Sequence, residues 1–213
     1  ETRHQHGVSH LLEHMAFKGT ERRNARAIAE EIENVGGHLN AHTAHEATAY
    51  YARVMKGDLP LAVDLLADIL QNSVFDASEL ERERGVVIQE IGQSLDTPDD
   101  LVFDHLLEAA YPGQAMGRPI LGTVDTVNGF DRDALRTYMG ERYHAPGMVL
   151  AAAGAIDHAE LVSLGREHFS EMPTVRSNGA EPAKFTGGER RETRELEQAH
   201  VTLAFEGPAY GDE

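Results

Sequence analysis

The sequence contains no cysteine, which excludes disulfides, thiolate zinc sites and a thiol nucleophile. Basic residues are scarce: 19 Lys and Arg stand against 36 Asp and Glu, a formal net charge of −17. That balance argues against nucleic acid and anionic membrane as partners and favours cationic ones. No stretch approaches the roughly 18 apolar residues that a membrane-spanning helix needs. The opening residues Glu1 to His6 hold no apolar signal-peptide core. A helical pattern begins almost at Gly7, so the expectation is a domain lacking its first strands and, with them, any targeting segment.

What is present describes an ordinary globular chain. Hydrophobic residues make up 41% and charged residues 26% of 213 positions, enough for one domain or at most two small ones. Without cysteine, a transition metal must be held by His, Asp or Glu, which suits zinc or its neighbours.

The segment from Gly7 to Lys18 places His10, Glu13 and His14 in a helical apolar pattern. Residues three and four apart share one helix face, so both imidazoles and the carboxylate point the same way. Leu11, Leu12 and Met15 supply the buried face, and a pair of core-satisfied histidines is the competing reading. The H-x-x-E-H order is the inverse of the commoner H-E-x-x-H zinc signature. A catalytic zinc normally has three protein ligands, and Glu90 is the candidate third, because it interrupts Val86, Val87, Ile88 and Ile91, where an unpaired carboxylate is costly. Glu83, seven residues earlier, shares its face two turns away; a partner for nearby arginines is its plainer role.

Along the chain, Asn24 caps a helix through Ile28 and Ile32 that stops at Gly36-Gly37. His38 to Met55 alternates as a hairpin with its turn near Ala44 to Glu46; Leu39, Ala41 and Thr43, then Ala47, Ala49 and Tyr51, are the inward sets. Asp58-Leu59-Pro60 opens a helix to Gln71, Asp76 another carrying Leu80, Val87, Ile88 and Ile91, and Thr97-Pro98 a third to Ala110. Residues 111–128 read as an extended surface loop. Asp131 to Tyr143 reads as helix, Met148 to Ile156 as a buried strand, and the segment after Asp157 as a helix through Leu161, Leu164 and Phe169. Residues 173–191 read as a flexible loop or linker, and Leu196 to Phe205 as a strand. The pattern predicts an α+β fold with helices packed on one face of a mostly antiparallel sheet, organised as a single domain over 1–213.

Gly-Val-Ser-His-Leu-Leu-Glu-His-Met-Ala-Phe-Lys-Gly-Thr from Gly7, His38-Leu-Asn-Ala-His-Thr with the following Tyr50-Tyr51-Ala52, and Glu81 through Glu90 resemble the pitrilysin-type inverzincin metallopeptidases, on their processing-peptidase branch. The likeness runs from about Gly7 to Met172. It implies an N-terminal zinc-binding peptidase domain in which His10, His14 and Glu90 hold one zinc per subunit. Glu13 would be the general base and Glu83 a supporting carboxylate. It places Asn40, Ala41 and His42 on an edge strand to which an extended substrate adds, and Phe17 against the residue after the cleaved bond. From the residues alone, Asn40 reads equally as a turn residue, His42 as an exposed strand position and Phe17 as core.

No Lys or Arg occurs from Gly85 to Met116. Asp100 and Asp104 lie there one turn apart and match an acidic pair that recognises arginine near the cleavage site, although the position of Asp100 usually holds Glu. Asp99 and Asp100 also complement a helix N-terminus. The remaining histidines, His4, His6, His38, His45, His105, His144, His158, His168 and His200, show no ligand spacing. The family adds a second homologous domain and a paired subunit, identical or different, and the expectation is that this sequence lacks that second domain. The expected activity is zinc-dependent endopeptidase action on extended, often basic, arginine-containing peptides. The alternative is a non-catalytic assembly subunit, which would usually have lost part of H-x-x-E-H. The resemblance leaves bacterial cytoplasm, periplasm and mitochondrial matrix open.

Overall fold

A computed structural model describes residues 1–175 and 181–209. Eight α-helices and one antiparallel hairpin make up its regular structure among those residues: α1 Val8–Ala16, α2 Ala25–Asn34, β1 His38–Thr43, β2 Thr48–Arg53, α3 Leu59–Gln71, α4 Ala77–Asp96, α5 Pro98–Ala110, α6 Val124–Gly129, α7 Arg132–Arg142 and α8 His158–Phe169. The chain is an α+β domain with helices laid on a small antiparallel sheet.

The helix starts follow from short polar side chains that accept otherwise unpaired first-turn amides. Asn24 accepts from Ala27 N–H, Asp76 from Ser78 and Glu79, Asp131 from Ala134, and Asp157 from Ala159 and Glu160. Thr97 separates α4 from α5, with Pro98 in the first turn of the latter.

α1 lies at the centre. Val8, Leu11, Leu12 and Met15 are fully buried and pack with Phe75, with Leu80, Val87 and Ile91 of α4, and with Val127, Phe130, Leu135 and Tyr138. Its last turn joins a second cluster through Ala16, Ile28, Ile69 and Leu70. Its start is fixed by a close backbone approach. Gly7 has φ +88° and Gly122 φ +82°, and a Cβ on Gly7 would sit 2.7 Å from both Gly122 Cα and Leu121 O. Only glycine satisfies the positive φ and the missing volume together. After α1, the buried Asp68 of α3 holds the following turn, accepting from Thr20 Oγ1 at 2.8 Å, Arg23 Nη1 at 2.8 Å and Arg22 Nε at 3.1 Å.

The structure departs from the sequence expectation in several places. In β2 the inward set is Thr48, Tyr50 and Ala52, because Thr43 pairs with Thr48, Ala41 with Tyr50 and Leu39 with Ala52. Tyr51 faces outward, so the expected phase of this strand was one residue off. Residues 111–128 are not one extended loop: a 3-10 turn occupies Ala115–Gly117 and α6 begins at 124, capped by Thr123 and anchored by fully buried Val127. Neither Met148 to Ile156 nor Leu196 to Phe205 is a strand. Both are irregular, with Val149, Val201, Leu203 and Phe205 largely exposed, because no described strand lies beside them to exchange backbone hydrogen bonds. Within 173–191, positions 176–180 lie outside the described residues. From 181 to 209 the chain runs without regular structure, passing along α5, with Thr186 N–H donating to Ala110 O at 3.0 Å and Phe185 packed edge-on against Tyr111.

Candidate metal centre and cleft

Four-residue spacing on α1 brings the His10 and His14 rings to a centroid separation of 4.7 Å. α4 runs alongside and delivers Glu90 to the same point. His14 Nε2 lies 3.5 Å and His10 Nε2 3.7 Å from Glu90 Oε2, and the three donor atoms sit within 4.8 Å of one another. Among the described residues this is the one such cluster of three. Tetrahedral ligands about 2.0–2.1 Å from a zinc ion stand roughly 3.3 Å apart, close to the two shorter separations. Two imidazoles and a carboxylate are also a donor set of catalytic zinc, with a fourth position open. The residues therefore fit a zinc ion.

Protonation favours the same use. Burial, reinforced by the neighbouring His14, lowers the His10 pKa to about 4, so the ring is neutral at pH 7 and its nitrogen lone pair is available. His14 is oriented from behind: its Nδ1 is 3.0 Å from Glu83 Oε2. An ionised carboxylate only accepts, so Nδ1 donates to it, and in the neutral ring Nε2 is the lone-pair nitrogen that faces Glu90. Glu83 is almost fully buried, and its other oxygen pairs with Lys18 Nζ at 2.7 Å. Burial pushes the Glu83 carboxyl up, but Lys18 and His14 outweigh it and leave it below the usual carboxylate range.

Glu13, one residue before His14, turns toward the hairpin, where Thr43 Oγ1 donates to Glu13 Oε2 at 2.5 Å. The space between α1, β1, α5 and the loop before α6 is a cavity of about 370 Å³ walled by His10, Glu13, Ala41, His42, Thr43, Ser94, Asp104 and Pro119 to Leu121. Burial raises the Asp104 carboxyl, with the charge of Asp100 adding and nearby His45, His105 and His6 opposing.

The structure thus brings together His10, Glu13, His14, Glu83 and Glu90, and sets Ala41, His42 and Asp104 in the adjoining wall. Three other expected residues stand outside that wall. Phe17 packs half-buried against Tyr50 at a centroid distance of 6.4 Å. Asp100 is exposed one turn before Asp104. Asn40 is exposed and its Oδ1 accepts from Ala41 N–H at 2.9 Å. Sequence reasoning assigned no role to Lys18 or Thr43. Lys18 stands four residues after His14 and Thr43 directly after His42, but only the folded hairpin shows what each touches.

In this α+β fold, H-x-x-E-H on one helix meets a glutamate from a second. Residues 1–124 match the family described as insulinase (peptidase family M16), and residues 129–213 match the peptidase M16 inactive domain. The chain belongs to peptidase family M16. It is 41% identical over 210 residues to an uncharacterized zinc protease of Rickettsia felis, covering 99% of this chain and 51% of that protein. To the mitochondrial-processing peptidase subunit beta of Lentinula edodes it is 43% identical over 215 residues, covering 97% of this chain and 46% of that one. The chain therefore spans about half the length of the curated relatives it matches. Among solved structures, a protease from Helicobacter pylori superposes with a TM-score of 0.79 at 20% identity, over 88% of this chain and 46% of that one, a likeness of fold. Pitrilysin superposes with a TM-score of 0.72 at 29% identity, over 84% of this chain and 20% of that one.

Proposed function

We propose that this chain carries the zinc centre and substrate cleft of a zinc-dependent endopeptidase acting on extended, often basic peptides. The observation that supports it most is the convergence of His10, His14 and Glu90 beside Glu13 in a cleft walled by strand β1. When bound, zinc supplies Lewis acidity toward the peptide carbonyl and lowers the pKa of water to about 7. His10, His14 and Glu90 would hold it, with Glu83 fixing the ring of His14. Glu13 takes the proton of the attacking water and returns it to the leaving nitrogen. The substrate lies extended along β1, its backbone pairing at Asn40, Ala41 and His42 while Asn40 releases Ala41 N–H. Asp104, with Asp100 behind it, meets an arginine of the substrate, and Phe17 meets the residue after the cleaved bond. A second homologous domain and a paired subunit close the cleft, in keeping with relatives named as beta subunits.

The test compares full-length wild type with Glu13→Gln for zinc content and for cleavage of an arginine-containing peptide. Zinc near one per subunit is expected in both proteins, with cleavage reduced roughly 10²–10⁴-fold in the variant. Equal cleavage by both sinks the mechanism, and zinc without cleavage in wild type favours a non-catalytic subunit.

A further inference from the structure

We infer that Thr43 is a positioning residue for Glu13, donating to that carboxylate from the strand that faces it; the inference rests on Glu13 being the base proposed above. Thr43 Oγ1 donates to Glu13 Oε2 at 2.5 Å and lies 3.4 Å from Thr48 Oγ1, its cross-strand partner in the pair that closes the hairpin.

Proton counting fixes the direction. A hydroxyl has one proton to donate and an ionised carboxylate has none. Thr43 gives its proton to Glu13, so it can only accept from Thr48. The 3.4 Å step is long for an O–H···O bond, so most of the restraint is exerted by Thr43 itself. No other side chain is seen to hydrogen-bond Glu13 among the described residues.

The arrangement ties two separate pieces of chain together: α1 supplies the carboxylate and the hairpin the pair of threonines. A glutamate on a helix surface samples several rotamers. Thr43 selects one of them before substrate arrives, which lowers the cost of reaching the reacting geometry.

The test uses full-length protein. Thr43→Val keeps the shape and removes the donor; Thr43→Ser keeps the donor. The expected result is a kcat about tenfold lower for Thr43→Val, with KM and zinc content within twofold of wild type by design of the substitution, and recovery of most of that loss in Thr43→Ser. Loss of zinc or a rise in KM alone, a kcat for Thr43→Val within twofold of wild type, or a Thr43→Ser as slow as Thr43→Val overturns the inference. A second readout needs neither metal nor turnover. In metal-free protein, Thr43→Val should lower Tm clearly in the wild-type background and much less in a Glu13→Ala background. Equal losses in both overturn the link. If instead Glu13→Gln cleaves normally while this Tm coupling is present, the proposed function has failed and the contact stands.

Discussion

Lys18 Nζ sits 2.7 Å from one oxygen of Glu83 while the other oxygen faces His14 Nδ1 at 3.0 Å. One buried carboxylate therefore links a cation just past the end of α1 to a ring of the candidate metal cluster on the same helix. The expected consequence is a graded loss of zinc affinity. Glu83→Gln should weaken binding about 10–100-fold, and Lys18→Met less, because it leaves the contact to His14 in place. Competition against a chelator of known affinity measures both, and Lys18→Met weakening binding more than Glu83→Gln would refute the order.

Asp104 is placed where its charge is costly. Burial raises its carboxyl above the ordinary value, so the folded state binds its proton more tightly than the unfolded chain does. Its contribution is then favourable below the unfolded pKa of about 3.9 and is lost as pH rises through the folded pKa. Asp104→Asn should raise Tm at pH 7 to 8, by about 2 °C for a chain of this size, and the advantage should vanish near pH 4. The same substitution should raise KM about tenfold for peptides with an arginine near the scissile bond and leave neutral peptides alone. Thermal scans across pH and a matched peptide pair check the two halves.

The Asp64, Asp68, Arg22 and Arg23 cluster has the opposite sign. Burial pushes Asp68 up, but Arg23, Asn72, Thr20 and Arg22 together hold it below the ordinary range, and Asp64 is lowered by Arg22 and Arg23 against its own burial. Folded pKa values below unfolded ones give stability that is present above about pH 4 and lost as pH falls through the folded values. Arg23→Met, which strands the fully buried Asp68 with a more exposed Arg22, should cost about 3 kcal/mol at pH 7. The gap to wild type should close below pH 4, as read from denaturant titrations at each pH.

Much of this molecule is legible in its sequence because the informative signals are local. Asn24, Asp76, Asp131 and Asp157 announce helix starts through their own first-turn amides, and His10 with His14, like Glu83 with Glu90, are related by spacing on single helices. What escapes is set by contacts distant in sequence. The inward phase of β2 depends on Thr48 meeting Thr43 across a turn, and apolar alternation around Val149 or Leu203 specifies a strand only where another strand can pair with it. Val127 becomes a core residue because α4 and α7 enclose it, and nothing within 111–128 announces that. Lys18 and Thr43 gain their roles from Glu83 and Glu13, 65 positions and 30 positions away.

Strand β1 carries Ala41 and Thr43 on the same face, two residues apart. Under the proposed docking, the backbone that receives the peptide and the hydroxyl that aims the base belong to one rigid unit. A peptide that fits the strand poorly therefore disturbs the aim of Glu13 as well as its own hold. Discrimination between good and poor sequences would then be expressed in turnover more than in occupancy, and a tightly bound but badly seated peptide would behave as an inhibitor.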